Sequence, residues 1–421
     1  MKIETLALTT AVFLSLVTTA QADTLKFECG VVGNSGQFCQ YVKTRFEAET
    51  PHTLEFVEFP STSTDKLGVL QQVLASGDGD VVDVFSVDVV WPGIIGEYFL
   101  DLTESIDDLK NNFFATPWNN NLVNGRLKAI PGMVDTGVLF YRTDLLQKYG
   151  ESKPQTWADM TRIAEKVQAG ERAEGNRKFW GLVFQGKAYE GLSCNALEWI
   201  ASYGGGTIVD NEGRITVDNA RAAAALDMAA SWIGHIAPQG VLGYQEEEAR
   251  AVFQNGDAMF MRNWPYAFVL GQDDSSPIKG KIGLMPLPAG DSQNPHAATL
   301  GGWQWAVNRN SDHKEAAIAL IRILGDVETQ IQRFLVEGAS PANKYAYQDP
   351  RILAKAPYME DMLAVFETSV ARPATVTGTR YNQVSNAFFN SVFSVLNGDI
   401  TGTEAVKKLN DRLVRIKRKA W

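Results

Sequence analysis

Histidine and cysteine are scarce in this chain, four and three residues among 421. That supply does not furnish the His, Cys or Tyr clusters of a metal receptor, and no histidine lies near Cys194 in sequence to form a nucleophilic pair. The G-x-S-x-G elbow, the H-E-x-x-H zinc motif and EF-hand spacing are all absent, so neither a metal nor a cofactor is expected. Gly204-Gly205-Gly206-Thr207 lacks the Lys-Ser or Lys-Thr ending of a phosphate loop and reads as a turn before Ile208-Val209. Cations are in deficit: the formal net charge is -10. This argues against nucleic acid and anionic membrane surfaces as partners. The one basic run is the tail, 407–419, which reads as the solvated face of a terminal helix. Long apolar runs are missing too, since the stretch 6–17 is too short to span a bilayer.

That short stretch has a different use. Lys2 supplies a positive start, and Ala20-Gln21-Ala22 offers a small-x-small cleavage pattern. Residues 1–22 therefore read as a signal peptide, with Asp23 opening an exported protein. No cysteine stands at the cleavage point to carry a lipid anchor. Export permits disulfides, and a strand, a tight loop and a helix start would bring Cys29 within reach of Cys39. Cys194 then remains as a buried, inert thiol.

About 400 exported residues exceed the size at which one core usually keeps growing, so two domains are expected. Thr24 to Cys29 alternates, Phe38, Tyr41, Val42 and Phe46 share a helical face, and Thr53 to Phe59 alternates again. A second helical pattern over 64–75 stops at Gly77-Asp78-Gly79, before the apolar run 81–86. Strand, helix, strand, helix, strand is the signature of a parallel sheet with helical crossovers. The stretches 127–130 and 138–141, separated by Pro131-Gly132, read as a strand pair where the chain crosses between lobes. Helices over 157–167 and 220–237 with strands over 179–184 and 257–261 predict a second α/β lobe, and 303–307 reads as a further strand.

Several short motifs then recur in order: Leu74-Ala75-Ser76-Gly77, Asp88-Val89-Val90-Trp91-Pro92-Gly93, Asp135-Thr136-Gly137-Val138, Phe253-Gln254-Asn255-Gly256-Asp257, Asn263-Trp264-Pro265-Tyr266, Gly301-Gly302-Trp303 and Ala371-Arg372-Pro373. Through them the chain resembles the bacterial extracellular solute-binding proteins of ABC importers, nearest the trehalose/maltose/sucrose branch. Each motif alone is weak; the ordered set spans almost all of the exported chain. The resemblance implies a periplasmic-binding-protein-like fold of two α/β lobes joined by a hinge. On this reading 23–131 plus 307–345 form the N-terminal lobe, and 132–306 plus 346–421 the C-terminal lobe. A monomer is expected, binding a mono- or disaccharide without turnover and presenting it to a membrane permease.

A sugar presents hydroxyls that donate and accept, and C–H faces that pack on aromatic rings. Trp264, Tyr266 and Trp303 beside Pro or Gly are the candidate platforms, with Gly302 letting backbone approach the ligand. Asp88 and Asp135 are candidate hydroxyl acceptors, and the Arg372 fork could address vicinal hydroxyls or clamp a carboxylate. Lys66 stands where relatives tend to carry arginine. Asn34 and Gln37 occupy a first loop in which relatives often place an acidic residue. The rival reading is a secreted carbohydrate-active hydrolase using paired carboxylates, for which Asp83, Asp88 and Glu97 cluster in sequence.

Overall fold

The computed structural model describes residues 22–30, 35–60, 62–291, 293–294, 296–359, 362, 365 and 369–421. The leader 1–21 and Asn34 lie outside the described residues. Strands β1 (Thr24–Glu28), β2 (Thr53–Phe56), β3 (Val84–Asp88), β6 (Ile130–Thr136) and β11 (Leu300–Val307) form one sheet in the order β2-β1-β3-β11-β6. β1 runs parallel to β2 and β3, with helices Ser35–Glu49 and Ser63–Ser76 as the crossovers. β7 (Val138–Arg142), β8 (Trp180–Val183), β9 (Ala258–Asn263) and β10 (Ile282–Pro286) form a second sheet in the order β10-β7-β9-β8. A small hairpin of β4 (Leu122–Val123) and β5 (Arg126–Leu127) stands apart from both.

Local chemistry sets the helix ends. The Thr62 side chain accepts from the Asp65 N–H, and Gly77 closes the same helix in the left-handed conformation. Thr156 with Asp159 and Thr401 with Glu404 form reciprocal capping boxes. Helices Ser35–Glu49, Lys314–Gly325 and Val327–Glu337 pack together on the first lobe. Helices Glu190–Ser202, Ala220–Ser231, Tyr381–Leu396 and Gly402–Lys417 pack together on the second. Both sheets are sandwiched: every residue of β3, β6, β7 and β9 is buried. Cys29 and Cys39 are disulfide-bonded across 5.9 Å between Cα atoms, and Cys194 is free and buried.

The strands change sheet at other places than the sequence reading put them. Pro131-Gly132 is not a break but part of β6, which pairs with β11 on both sides of a bulge between Trp303 and Gln304. Proline has no N–H to give the ladder, and the bulge absorbs that loss. The first crossing therefore falls at Gly137, between β6 and β7, and β11 as a whole belongs to the first sheet. A Cβ on Gly137 would meet the Glu198 Oε1 at 2.0 Å, so only glycine lets the chain pass over the ion pair beneath it. Helix Pro350–Lys355 also packs on helix Val327–Glu337 of the first lobe. The Ala-rich helix ends at Ser231 rather than continuing to 237.

Candidate functional site

Between the two sheets lies a cavity of about 300 Å³. The first lobe supplies Asp88 from the end of β3, Met133 and Asp135 from β6, and Gly301, Gly302 and Trp303 from β11. The second supplies Tyr189, Glu190, the turn Gln245 to Glu248, Trp264 and Tyr266. Arg372 reaches in from the segment after Val370, which bridges to Thr299 just before β11.

The two indoles are held differently. Trp303 is half-buried, with its ring edge-on to the buried Trp91 at 5.6 Å. Behind it the Lys66 ammonium stands 4.8 Å from the ring centroid. Lys66 is buried, paired with Glu28 at 2.7 Å and bonded to the Ser86 Oγ at 2.6 Å. Burial pushes its pKa down, against the pull of Glu28. Trp264 lies over the Arg262 guanidinium, 4.1 Å from the ring centroid, while Arg262 forks onto buried Glu198. Cations beneath both ring faces anchor the platforms while leaving each indole partly open. Gly302, at φ +131°, adopts a backbone that a side chain would strain, and a Cβ there would meet the Met133 carbonyl at 2.4 Å.

The polar groups converge in pairs. Arg372 donates to Asp88 at 3.0 Å and to Glu190 at 2.8 Å, so one guanidinium joins carboxylates of both lobes. Glu190 also accepts from the Ser385 hydroxyl at 2.5 Å and from Tyr381. The Tyr189 hydroxyl donates to Glu246, and that of Tyr266 to Glu247, each at 2.6 Å. Burial and these carboxylates hold Tyr189 and Tyr266 well above the usual phenol range. Asp135 differs from the other acids: its Oδ1 is buried with no partner. Burial raises its carboxyl to about 8, against the weaker pulls of Arg333 and Arg262. At neutral pH Asp135 is therefore mostly a neutral acid, able to donate as well as accept. Cys194 touches the cavity as a thiol that burial pushes up to about 12, hence unreactive.

Seven of the ten residues proposed from sequence line this cavity: Asp88, Asp135, Trp264, Tyr266, Gly302, Trp303 and Arg372. Lys66 does not; it lies one layer behind, under Trp303. Gln37 is exposed on its helix, in a shallow depression with Gln40 and Tyr41 rather than in the cleft. Of the three acids on which a hydrolase reading rested, only Asp88 lines the cavity. Asp83 instead accepts from the Lys26 N–H at 2.7 Å and from Ser311 at 2.5 Å. Sequence reasoning missed Tyr189, Glu190 and Glu246 to Glu248. The three consecutive glutamates after Gln245 were a visible signal, since they crowd the first turn of helix Glu246–Gln254.

The sequence model of the family described as "Bacterial extracellular solute-binding protein" matches residues 33–331. A protein of Deinococcus radiodurans named "Probable ABC transporter-binding protein" is 47% identical over 405 residues, covering 96% of each chain. The chain belongs to the bacterial extracellular solute-binding proteins. Among solved structures, this solute-binding protein is similar to maltose-bound MalE3 of T. maritima, with a TM-score of 0.88 and 35% identity over 94% of this chain and 100% of that one. The GacH receptor of Streptomyces glaucescens shares the fold at TM-score 0.83 and 20% identity, over 96% of this chain and 100% of that one. The two α/β lobes with a cleft between them are thus the two-lobed binding-protein architecture, and the chain is the solute-binding component of an ABC transporter. Among the described residues no helix is long and apolar enough to cross a membrane.

Proposed function

We propose that this solute-binding protein captures a mono- or disaccharide, most simply an α-linked disaccharide such as trehalose, maltose or sucrose, by closing its lobes in the periplasm and handing the sugar to a membrane permease. The carrying observation is that Trp264 and Trp303, from different lobes, face one cavity together with Arg372, the carboxylates Asp88, Glu190, Glu246, Glu247 and Glu248, and the carboxylic acid of Asp135. Indole faces suit the C–H surface of a sugar ring, and carboxylates suit its hydroxyl hydrogens. The maltose-bound relative supports an α-glucoside ligand. An enclosed sugar of this size is expected to bind at about 1 μM or tighter, roughly -8 kcal/mol. Removal of the signal peptide, a monomeric state and the absence of turnover belong to the same reading. A thermal-shift panel of trehalose, maltose, sucrose, glucose and sugar alcohols, with chromatography of each mixture, tests it. One sugar should raise the midpoint and be recovered intact. A sugar converted to product without a raised midpoint would establish the hydrolase instead.

A further inference from the structure

The terminal basic run is largely exposed, and its arginines gather at one helix junction. Helix Gly402–Lys417 packs along helix Tyr381–Leu396. At their junction is a recess of about 310 Å³ lined by Arg380, Gln383, Arg412, Arg415, Ile416 and Arg418. It shares no lining residue with the sugar cleft. Arg380 is half-buried, and its Nη1 donates to the Ile416 carbonyl at 2.9 Å and to those of Lys417 and Ala420. It thereby takes up carbonyls orphaned at the helix end, and its guanidinium is fixed in the recess wall.

The helix macrodipole accounts for Arg380, and for Lys417, which turns away to the Gly213 carbonyl. It does not call for three more guanidinium groups. Arg412 has only a 3.5 Å contact to the Asn386 amide oxygen. Among the described residues, no ion pair involves Arg380, Arg412, Arg415 or Arg418. Asp411 stands one turn before Arg415 without pairing to it. Three exposed guanidinium groups without an ion pair, Arg412, Arg415 and Arg418, thus stand beside the carbonyl-bound Arg380 in one concavity, and an anion seated there would offset their mutual repulsion.

We propose that this recess binds a phosphate oxyanion, from either a soluble phosphate ester or the headgroup of an anionic phospholipid. Forked N–H pairs match tetrahedral phosphate oxygens, Gln383 adds a neutral donor, and the Ile416 side chain supplies an apolar wall. If the source is lipid, the site would hold the second lobe against the membrane in which the permease sits.

The test uses the full exported protein at low ionic strength. Pyrophosphate is titrated calorimetrically, and flotation is measured with phosphatidylcholine vesicles with and without phosphatidylglycerol. The triple variant Arg412→Gln, Arg415→Gln, Arg418→Gln is compared with Lys407→Gln, Lys408→Gln, Lys419→Gln, which removes equal charge from outside the recess. Pyrophosphate should bind one to one, weakened about tenfold or more in the arginine variant and less than about twofold in the lysine variant. Flotation that needs phosphatidylglycerol and the three arginines identifies the lipid source; pyrophosphate binding without flotation identifies a soluble ester. Equal losses in both variants, or binding of neither probe, would overturn the proposal. Should the triple variant fold poorly, Arg415→Gln alone, at an exposed position, must still weaken pyrophosphate about threefold.

Discussion

Replacing Asp135 by asparagine should make this protein less sensitive to alkaline conditions, by an amount the structure allows to be worked. The folded carboxyl titrates near 8, whereas an unfolded aspartate titrates at 3.8. Between those values the folded state holds a proton that the unfolded state has released, so stability falls as pH rises. The penalty is absent below about pH 4, grows by at most about 1.4 kcal/mol for each pH unit, and levels off above about pH 8. At pH 7 its upper bound is about 4 kcal/mol. Asparagine removes the titration but leaves amide hydrogens unpartnered in the same buried position, an offset of about 1–3 kcal/mol. Urea unfolding at pH 5, 6, 7 and 8 should show the variant gaining on the natural protein with each step. Parallel stability curves would refute the reasoning, because they would mean that Asp135 carries its charge at neutral pH.

Other consequences are simpler to check. Trp303→Ala and Trp264→Ala should each weaken saccharide binding by about tenfold to a hundredfold in calorimetry. Because both rings are only half-buried, each loss of stability should stay below the roughly 3–5 kcal/mol of a fully buried tryptophan. Arg372→Ala should lower stability by about 3 kcal/mol in urea unfolding, since Asp88 and Glu190 lose the cation they share. Reducing Cys29–Cys39, or replacing both by serine, should lower stability by about 2–3 kcal/mol, as expected for closing a short loop.

How far the sequence reached follows from what each signal encodes. Asp88, Trp264, Trp303 and Arg372 stand in short motifs beside Gly or Pro, where a strand end or turn is written locally, and they meet in one cavity. The same local reading failed at Pro131-Gly132, because the distant strand β11 pairs with Pro131 and Met133 on either side, leaving Gly132 as the extra residue of a bulge rather than a break. Glu190 was invisible for a similar reason. Nothing in Tyr189-Glu190-Gly191 distinguishes it from the rest of 49 acidic residues, and its role arises only when Arg372 folds across to it. Lys66 was recognised as a charge of interest but assigned to the ligand. It sits on helix Ser63–Ser76, and its partners Glu28 and Ser86 come from strands β1 and β3, which hold it beneath Trp303 instead.

Titration calorimetry of maltose and trehalose into the natural protein and into the Trp264→Ala, Trp303→Ala double variant tests the central claim most directly. The account predicts one saccharide per chain with a negative heat-capacity change for the natural protein, and no measurable heat for the double variant, which should stay folded. Undiminished sugar binding by the double variant would contradict it.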